Sequence, residues 1–221
     1  MDAPNELLKI EGLGKAYDSR RGAQQGRRAI EGIDFTAAPG ELVTVIGPSG
    51  AGKSTFLRCI NRLIEPTDGK IEFCGQDITH IKSGQLRPVR RQIAMIFQNY
   101  NLVYRLTAIQ NVLHGRLGYK SALAGSLGLY TEDEKARAFE LQDPKIMLCD
   151  EPIASLDPKS SRMVMETLRR LSRQRGITCI VNLHQVDFAL EFSDRIVGLR
   201  AGHKVFEGTP DEMTPEVIRS I

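Results

Sequence analysis

Gly47-Pro48-Ser49-Gly50-Ala51-Gly52-Lys53-Ser54-Thr55 fits the pattern G-x-x-x-x-G-K-[ST]. The apolar run Leu42-Val43-Thr44-Val45-Ile46 leads into it. A helical pattern leads out, with Phe56, Leu57, Ile60, Leu63 and Ile64 on one face. This strand–loop–helix context is what a phosphate-binding loop requires. Glycines let successive backbone N–H groups turn inward around phosphate oxygens where a β-branched residue would clash, and the following helix N-terminus adds positive dipole. Lys53 is placed to bridge the β- and γ-phosphates of a nucleotide, and the Ser54 hydroxyl to hold Mg²⁺. Taken alone, the loop could also be a glycine-rich turn before a helix. Residues further along the chain decide between the two.

A chain of 221 residues can form one large domain or two small ones with ample core. Its composition is that of a soluble globular protein, 41% hydrophobic and 26% charged. The net charge of +3 is too weak to argue for nucleic acid as a partner. Cys59, Cys74, Cys149 and Cys179 are scattered without C-x-x-C spacing. Cys149 and Cys179 lie in apolar runs, so the expectation is buried free thiols in a reducing compartment. The first residues lack a basic stretch followed by an apolar one, so no signal peptide is expected. No apolar run approaches the eighteen or so residues of a membrane span, so any membrane role is expected to come through a partner.

In chain order, Leu7 to Ile10 reads as a short strand and Gly12 to Tyr17 as a turn carrying an aromatic. Asp18 to Arg28 is polar with four arginines, and reads as a solvated hairpin tip in preference to a phosphate-binding patch. Ile33-Asp34-Phe35 and Glu41 to Ile46 are expected strands around the turn Ala38-Pro39-Gly40. Pro66-Thr67-Asp68-Gly69 is a hairpin-turn signal before the strand Lys70 to Phe73. Ile93 to Phe97 is a buried-type strand ending at Gln98. Ala108 to Leu117 is helix-like, and Thr131-Glu132-Asp133-Glu134 has the T-x-x-E form of a capping box. Lys145 to Cys149 delivers Asp150 and Glu151 at its end. Ser160 to Gln174 is an amphipathic helix with Val164, Leu168 and Leu171 on one face and Gly176 as its C-cap. Ile177 to Leu183 is a buried strand ending at His184, and Ile196 to Phe206 a hairpin.

Three strands therefore end in Gln98, in Asp150-Glu151 and in His184, while a fourth feeds the loop. Helices between several of them argue for a largely parallel α/β sheet. Ligands of such sheets sit at the carboxyl ends of the strands, so the polar termini should converge on one bound nucleotide. Asp150 fits a Mg²⁺-side carboxylate near Ser54. Glu151, one residue on and aimed differently, could orient or deprotonate an attacking water. His184 could contact the γ-phosphate and that water, and Gln98 touch both Mg²⁺ and water. Ser, Asp and Gln supply the oxygen ligands Mg²⁺ prefers. Phosphoryl transfer from ATP needs positioning and charge stabilisation more than covalent chemistry, and this set offers both.

On these residues the chain resembles the ATP-binding subunit of an ABC transporter. Gly47 to Thr55 resembles its Walker A loop and Ile146 to Glu151 its Walker B strand with the catalytic glutamate. Ser155-Leu156-Asp157 resembles the D-loop, Gln98 the Q-loop glutamine, His184 the switch histidine, and Tyr17 the adenine-stacking aromatic; for Tyr17, a surface tyrosine is the competing reading. Asn101 to Val103, Asn111 to Gly118, Asp150 to Pro158 and Asn182 to Asp187 resemble the phosphonate importer subfamily. The resemblance implies a P-loop NTPase (RecA-like) core with an N-terminal antiparallel β subdomain and a truncated helical subdomain, in one ATP-binding domain. Its parts would be 1–98, 99–143 and 144–221. It further implies ATP and Mg²⁺, membrane-spanning permease subunits, a separate substrate-binding protein, a homodimer of ATPase subunits, and a peripheral place on the cytoplasmic face of the cell membrane. Tyr100 to Leu106 would form the groove for a permease helix.

One family element is missing from the sequence. Members carry an L-S-G-G-Q signature and a long helix before the Walker B strand, whereas here Ala136 to Glu140 runs directly into Leu141 to Pro144. Only 52 positions separate Gln98 from Asp150. Ser83-Gly84-Gln85 and Ala124 to Gly128 are no substitutes and read as loops. In the family each signature caps the γ-phosphate held by the facing subunit's loop, so its loss implies a weaker dimer. A non-catalytic ATP-binding subunit is the alternative expectation to a transport ATPase.

Overall fold

The structure is a computed structural model and describes residues 6–17, 27–98 and 144–221. By internal contacts the chain divides into Met1–Gln98 with Pro144–Ile221, and Asn99–Asp143. All described residues belong to the first unit. The expectations for 99–143 (the helix-like 108–117, the capping box at 131, the permease groove, the truncated helical subdomain and the lost signature) fall outside them.

Two sheets build this unit. The smaller is antiparallel, ordered β2-β1-β4-β5, from β1 (Leu8–Tyr17), β2 (Arg27–Ala37), β4 (Asp68–Phe73) and β5 (Gln76–Asp77). The larger is ordered β10-β9-β3-β8-β7-β6. It comprises β3 (Leu42–Ile46), β6 (Ile93–Ile96), β7 (Ile146–Asp150), β8 (Thr178–Leu183), β9 (Arg195–Arg200) and β10 (His203–Gly208). All its pairings are parallel except β9 with β10. The helices are α1 (Lys53–Ile60), α2 (Ser83–Arg90), α3 (Pro158–Arg175), α4 (Val186–Phe192) and α5 (Pro215–Ser220).

The period-two pleat sorts the large sheet's side chains onto two faces. Val43, Val45, Ile146, Leu148, Ile180, Val197 and Leu199 join one core with α1 and the small sheet. There Phe35 and Phe56 meet edge to face at 5.4 Å. Leu42, Ile46, Cys149, Cys179, Val181, Leu183 and Ile196 form the other core, under Met165 and Leu168 of α3 and Ala189 and Phe192 of α4. Continuing the first parity along β7 and β8 carries Asp150 and Asn182 to the α1 side. That parity is why two polar residues at strand ends can meet the start of α1. Arg195 ties the two sheets together: its guanidinium donates to Glu41 and to the Thr36 carbonyl at 2.6 Å, and lies 5.3 Å from the Phe35 ring centroid.

All four cysteines are free, three of them buried. Burial pushes the Cys59 thiol up to about 11 and Cys179 to about 12. Cys149 is raised well above the ordinary thiol range, again mainly by burial.

Several local expectations are corrected. Gly12 to Tyr17 is not a turn, because β1 runs unbroken to Tyr17. Gly12, at φ 58°, is instead absorbed as a bulge between Ile10 and Leu13, and its N–H is held by Asp34 Oδ1 at 2.7 Å. Gly69 lies within β4, and the hairpin turn falls at Cys74-Gly75, both at positive φ. Leu63 is 47% exposed, not core, since α1 stops at Ile60 and Arg62 turns left-handed at φ 57°. Ser83-Gly84-Gln85 opens α2 and is not a loop. Arg27 and Arg28 belong to β2, not to a solvated tip. Helices α4 and α5 carried no signal that was read from the sequence.

Candidate functional site

The loop lies between β3 and α1, and its backbone is fixed from outside. The N–H of Gly202, in the β9–β10 turn, donates to the Ala51 carbonyl at 3.1 Å, and Glu31 N–H to the Gly202 carbonyl at 2.9 Å. Gly47 has φ 151°, and a Cβ there would stand 2.2 Å from the Leu199 carbonyl oxygen. At Gly52, with φ 104°, a Cβ would stand 2.5 Å from the Ala29 carbonyl oxygen. Two of the loop glycines are thus demanded by neighbouring strands as well as by any ligand.

Lys53 is buried, and its ammonium donates to the carbonyls of Gly47 at 2.7 Å and Pro48 at 3.2 Å. Burial pushes its pKa down from the usual lysine value, opposed by the charges of Glu151 and Asp150. The hydroxyl of Ser54 donates to Asp150 Oδ1 at 2.7 Å. Asp150 is fully buried, and its charge is met from three sides: Ser54, the Asn182 amide at 2.9 Å, and the Arg58 guanidinium 3.5 Å from Oδ2.

Glu151 follows at φ 53°, a left-handed conformation that costs a non-glycine residue roughly 1–3 kcal/mol and clusters at working sites. Its side chain joins two strand ends: Gln98 Nε2 donates to Oε2 at 3.0 Å, and His184 Nε2 lies 2.7 Å from Oε1. An ionised carboxylate only accepts, so both nitrogens carry the shared hydrogens. The Gln98 amide oxygen takes no part in this pairing.

These groups share one cavity of about 730 Å³, bounded by Ser49 to Thr55, Gln98, Glu151, His184 and Tyr17. Tyr17 is 42% exposed, with its hydroxyl 3.5 Å from Thr55 Oγ1. The strand ends thus meet as the sequence led one to expect, with every residue singled out for the nucleotide either on this cavity or, for Asp150, hydrogen-bonded to it through Ser54; Gly47 and Pro48 form the start of the loop.

Three residues were not singled out. Asn182 braces Asp150, and an Asn inside the apolar run Ile177 to Leu183 was a readable signal, because a buried amide needs a partner. Arg58 lies one helical turn beyond Ser54, and that spacing points it to the same face. Arg28 lines the cavity while paired to Asp68 at 3.0 Å, at the end of the arginine-rich stretch that reads from sequence as a solvated tip in preference to a phosphate-binding patch.

This core is that of a P-loop NTPase. The chain belongs to the ABC transporter family, whose profile matches residues 30–141. Among curated proteins it is 45% identical to "Phosphonates import ATP-binding protein PhnC 2" of Oceanobacillus iheyensis, over 97% of this chain and 95% of that one. It is 43% identical to the PhnC of Treponema denticola, over 96% and 93%. The first alignment extends over 247 residues against the chain's own 221, so the relative carries residues with no counterpart here. Among solved structures, the dimeric post-hydrolysis state of the ATP-binding cassette MJ0796 bound to ADP and Pi superposes with a TM-score of 0.78 at 26% identity, over 92% of this chain and 98% of that one. The chain cbiO1 of Clostridium perfringens, part of the ABC transporter complex cbiONQ, gives a TM-score of 0.75 at 25% identity, over 98% and 94%.

Proposed function

We propose that the chain binds Mg·ATP and hydrolyses it to energise an importer, with phosphonates as the cargo. The observation that carries the hydrolytic reading is Glu151, held between Gln98 and His184 on the cavity that the phosphate loop opens into. Glu151 would take the proton of the attacking water, and its two hydrogen bonds fix where that water stands. His184 and Gln98 position it, the loop N–H groups and Lys53 neutralise phosphate charge, and Tyr17 stacks on the base. The oxygens of Ser54, Asp150 and Gln98 are a hard donor set that fits Mg²⁺. They would hold the ion, which when bound neutralises charge on the phosphates.

Phosphonate as cargo rests on the names of the relatives, and the cargo itself would be chosen by a separate binding protein and permease subunits. No described helix is long and apolar enough to cross a membrane. A homodimer is the assembly we favour. No L-S-G-G-Q segment occurs in the sequence. Its donors would act in trans on the facing loop, and one such donor is typically worth ~10²–10³ in rate.

In vesicles carrying the permease subunits and supplied with binding protein, ATP-driven uptake of methylphosphonate should require this chain and vanish with Lys53→Ala. Uptake that survives Lys53→Ala, or hydrolysis without uptake, would refute the reading. A second measurement addresses Tyr17. Stacking on a base is worth about 1–3 kcal/mol, so Tyr17→Ala should weaken ATP binding by roughly fivefold or more, and Tyr17→Phe by less than about twofold. Equal affinities in wild type and Tyr17→Ala would make Tyr17 a surface residue.

A further inference from the structure

A second cavity, of about 360 Å³, lies between the end of α1, the β5–α2 loop and α2, and shares no lining residue with the first. Its wall is basic: Arg62, His80, Lys82 and Arg90 line it, with Glu65 the one carboxylate among its lining residues. Arg62 is central to it. Where α1 ends, its left-handed backbone folds the side chain inward until only 4% of it is exposed. One terminal nitrogen donates to the Ile78 carbonyl and the other to Glu65 at 2.9 Å. The remaining Nε–H has no acceptor among the described residues.

Such a donor on a buried cation is costly to leave unmade. Glu65 does not offset it, being 70% exposed and already engaged by the other edge of the guanidinium. Arg90 adds its charge from α2 and fixes the backbone beneath Arg62, donating to the Asn61 carbonyl at 3.1 Å and to that of Arg62. The Lys82 ammonium has no hydrogen-bond or ion-pair partner among the described residues, and Lys82 also lines the cavity. The lining therefore gathers the Arg62 and Arg90 guanidinium groups, the His80 imidazole and the Lys82 ammonium around one concavity. A divalent cation would be repelled there, and a neutral ligand would leave the excess of positive charge over Glu65 uncompensated. Tetrahedral oxyanions match guanidinium edges and take further donors at their other oxygens.

We propose that this cavity is a second oxyanion site, taking the tetrahedral phosphorus oxyanion common to inorganic phosphate and small phosphonates. Either source would supply it: phosphate released at the first cavity, or imported cargo. The test is a ³¹P NMR titration of the full chain carrying Lys53→Ala, which disables the phosphate loop, with inorganic phosphate and with methylphosphonate separately. Saturable binding of at least one at millimolar concentration or tighter is expected, weakened about tenfold when His80→Gln and Lys82→Glu are added. Both added substitutions are at exposed positions, so they test the site without disturbing the buried Arg62. The tighter of the two anions identifies the source, and equal affinities assign recognition to the shared group alone. In the background with Lys53 intact, the same double substitution should leave ATP affinity unchanged. Absence of saturable binding, binding indifferent to the double substitution, or loss of ATP affinity along with it would overturn the proposal.

Discussion

Replacing Glu151 by glutamine should lower ATP hydrolysis by about 10²–10³-fold while leaving ATP affinity within roughly threefold of wild type. Glutamine keeps the shape but loses the base, and a positioned general base contributes typically 10²–10⁴-fold. Orientation would suffer as well. The two oxygens of Glu151 accept from Gln98 and His184 at once. A glutamine amide presents one oxygen and one NH₂ group, so one of those donors would face another donor. Binding should survive because the phosphate loop, Lys53 and Tyr17 do not depend on Glu151 for their hydrogen bonds. Single-turnover hydrolysis and equilibrium nucleotide binding on the same preparation separate the two effects. A rate within threefold of wild type would remove Glu151 from the chemistry. A parallel loss of binding would instead make it structural.

Strand ends were the most legible part of this site. An apolar run followed abruptly by a polar residue is a one-dimensional signal, and it places Gln98, Asp150, Glu151 and His184 at one edge of a parallel sheet. The pairing of Ser54 with Asp150 followed from it, because a loop at the carboxyl end of one strand neighbours the carboxyl end of another. What stayed hidden was set by backbone conformation or by distant partners. Nothing local shows that Glu151 adopts φ 53° and so turns out of the strand toward Gln98 and His184. Gly12 was misread because glycine serves bulges and turns equally well, and only pairing with β2 and β4 decides between them. Leu63 fits the apolar stripe of α1, yet the stripe outlasts the helix, which ends where Arg62 is drawn inward by Ile78 and Glu65. The shortness of α4 kept it below what a helical period can reveal.

The loop that names the ligand is also a packing element, and Gly47→Ala should show this by destabilising the fold itself. The methyl group would stand 2.2 Å from the Leu199 carbonyl oxygen and 3.2 Å from Ala51 Cβ. Leu199 is fully buried on β9, whose pairing with β3 runs to Ile46 opposite Gly198. That backbone cannot retreat without opening the middle of the large sheet. Strain at φ 151° adds to the clash, and the sum belongs with the rare substitutions costing more than about 4 kcal/mol. For a chain of this size that corresponds to a fall in Tm of roughly 8–16 °C. Gly50→Ala is the informative contrast. Its φ of 80° is also left-handed, but a Cβ there meets nothing within 4 Å, so only the strain of about 1–3 kcal/mol applies. Gly50→Ala should therefore fold with a much smaller fall in Tm, and any loss of ATP affinity it shows is a property of the ligand-facing loop alone. Thermal melts of the two variants without nucleotide make the comparison. If Gly47→Ala melted within about 2 °C of wild type, the glycine would be there for the phosphate only, and the sheet contact would be incidental.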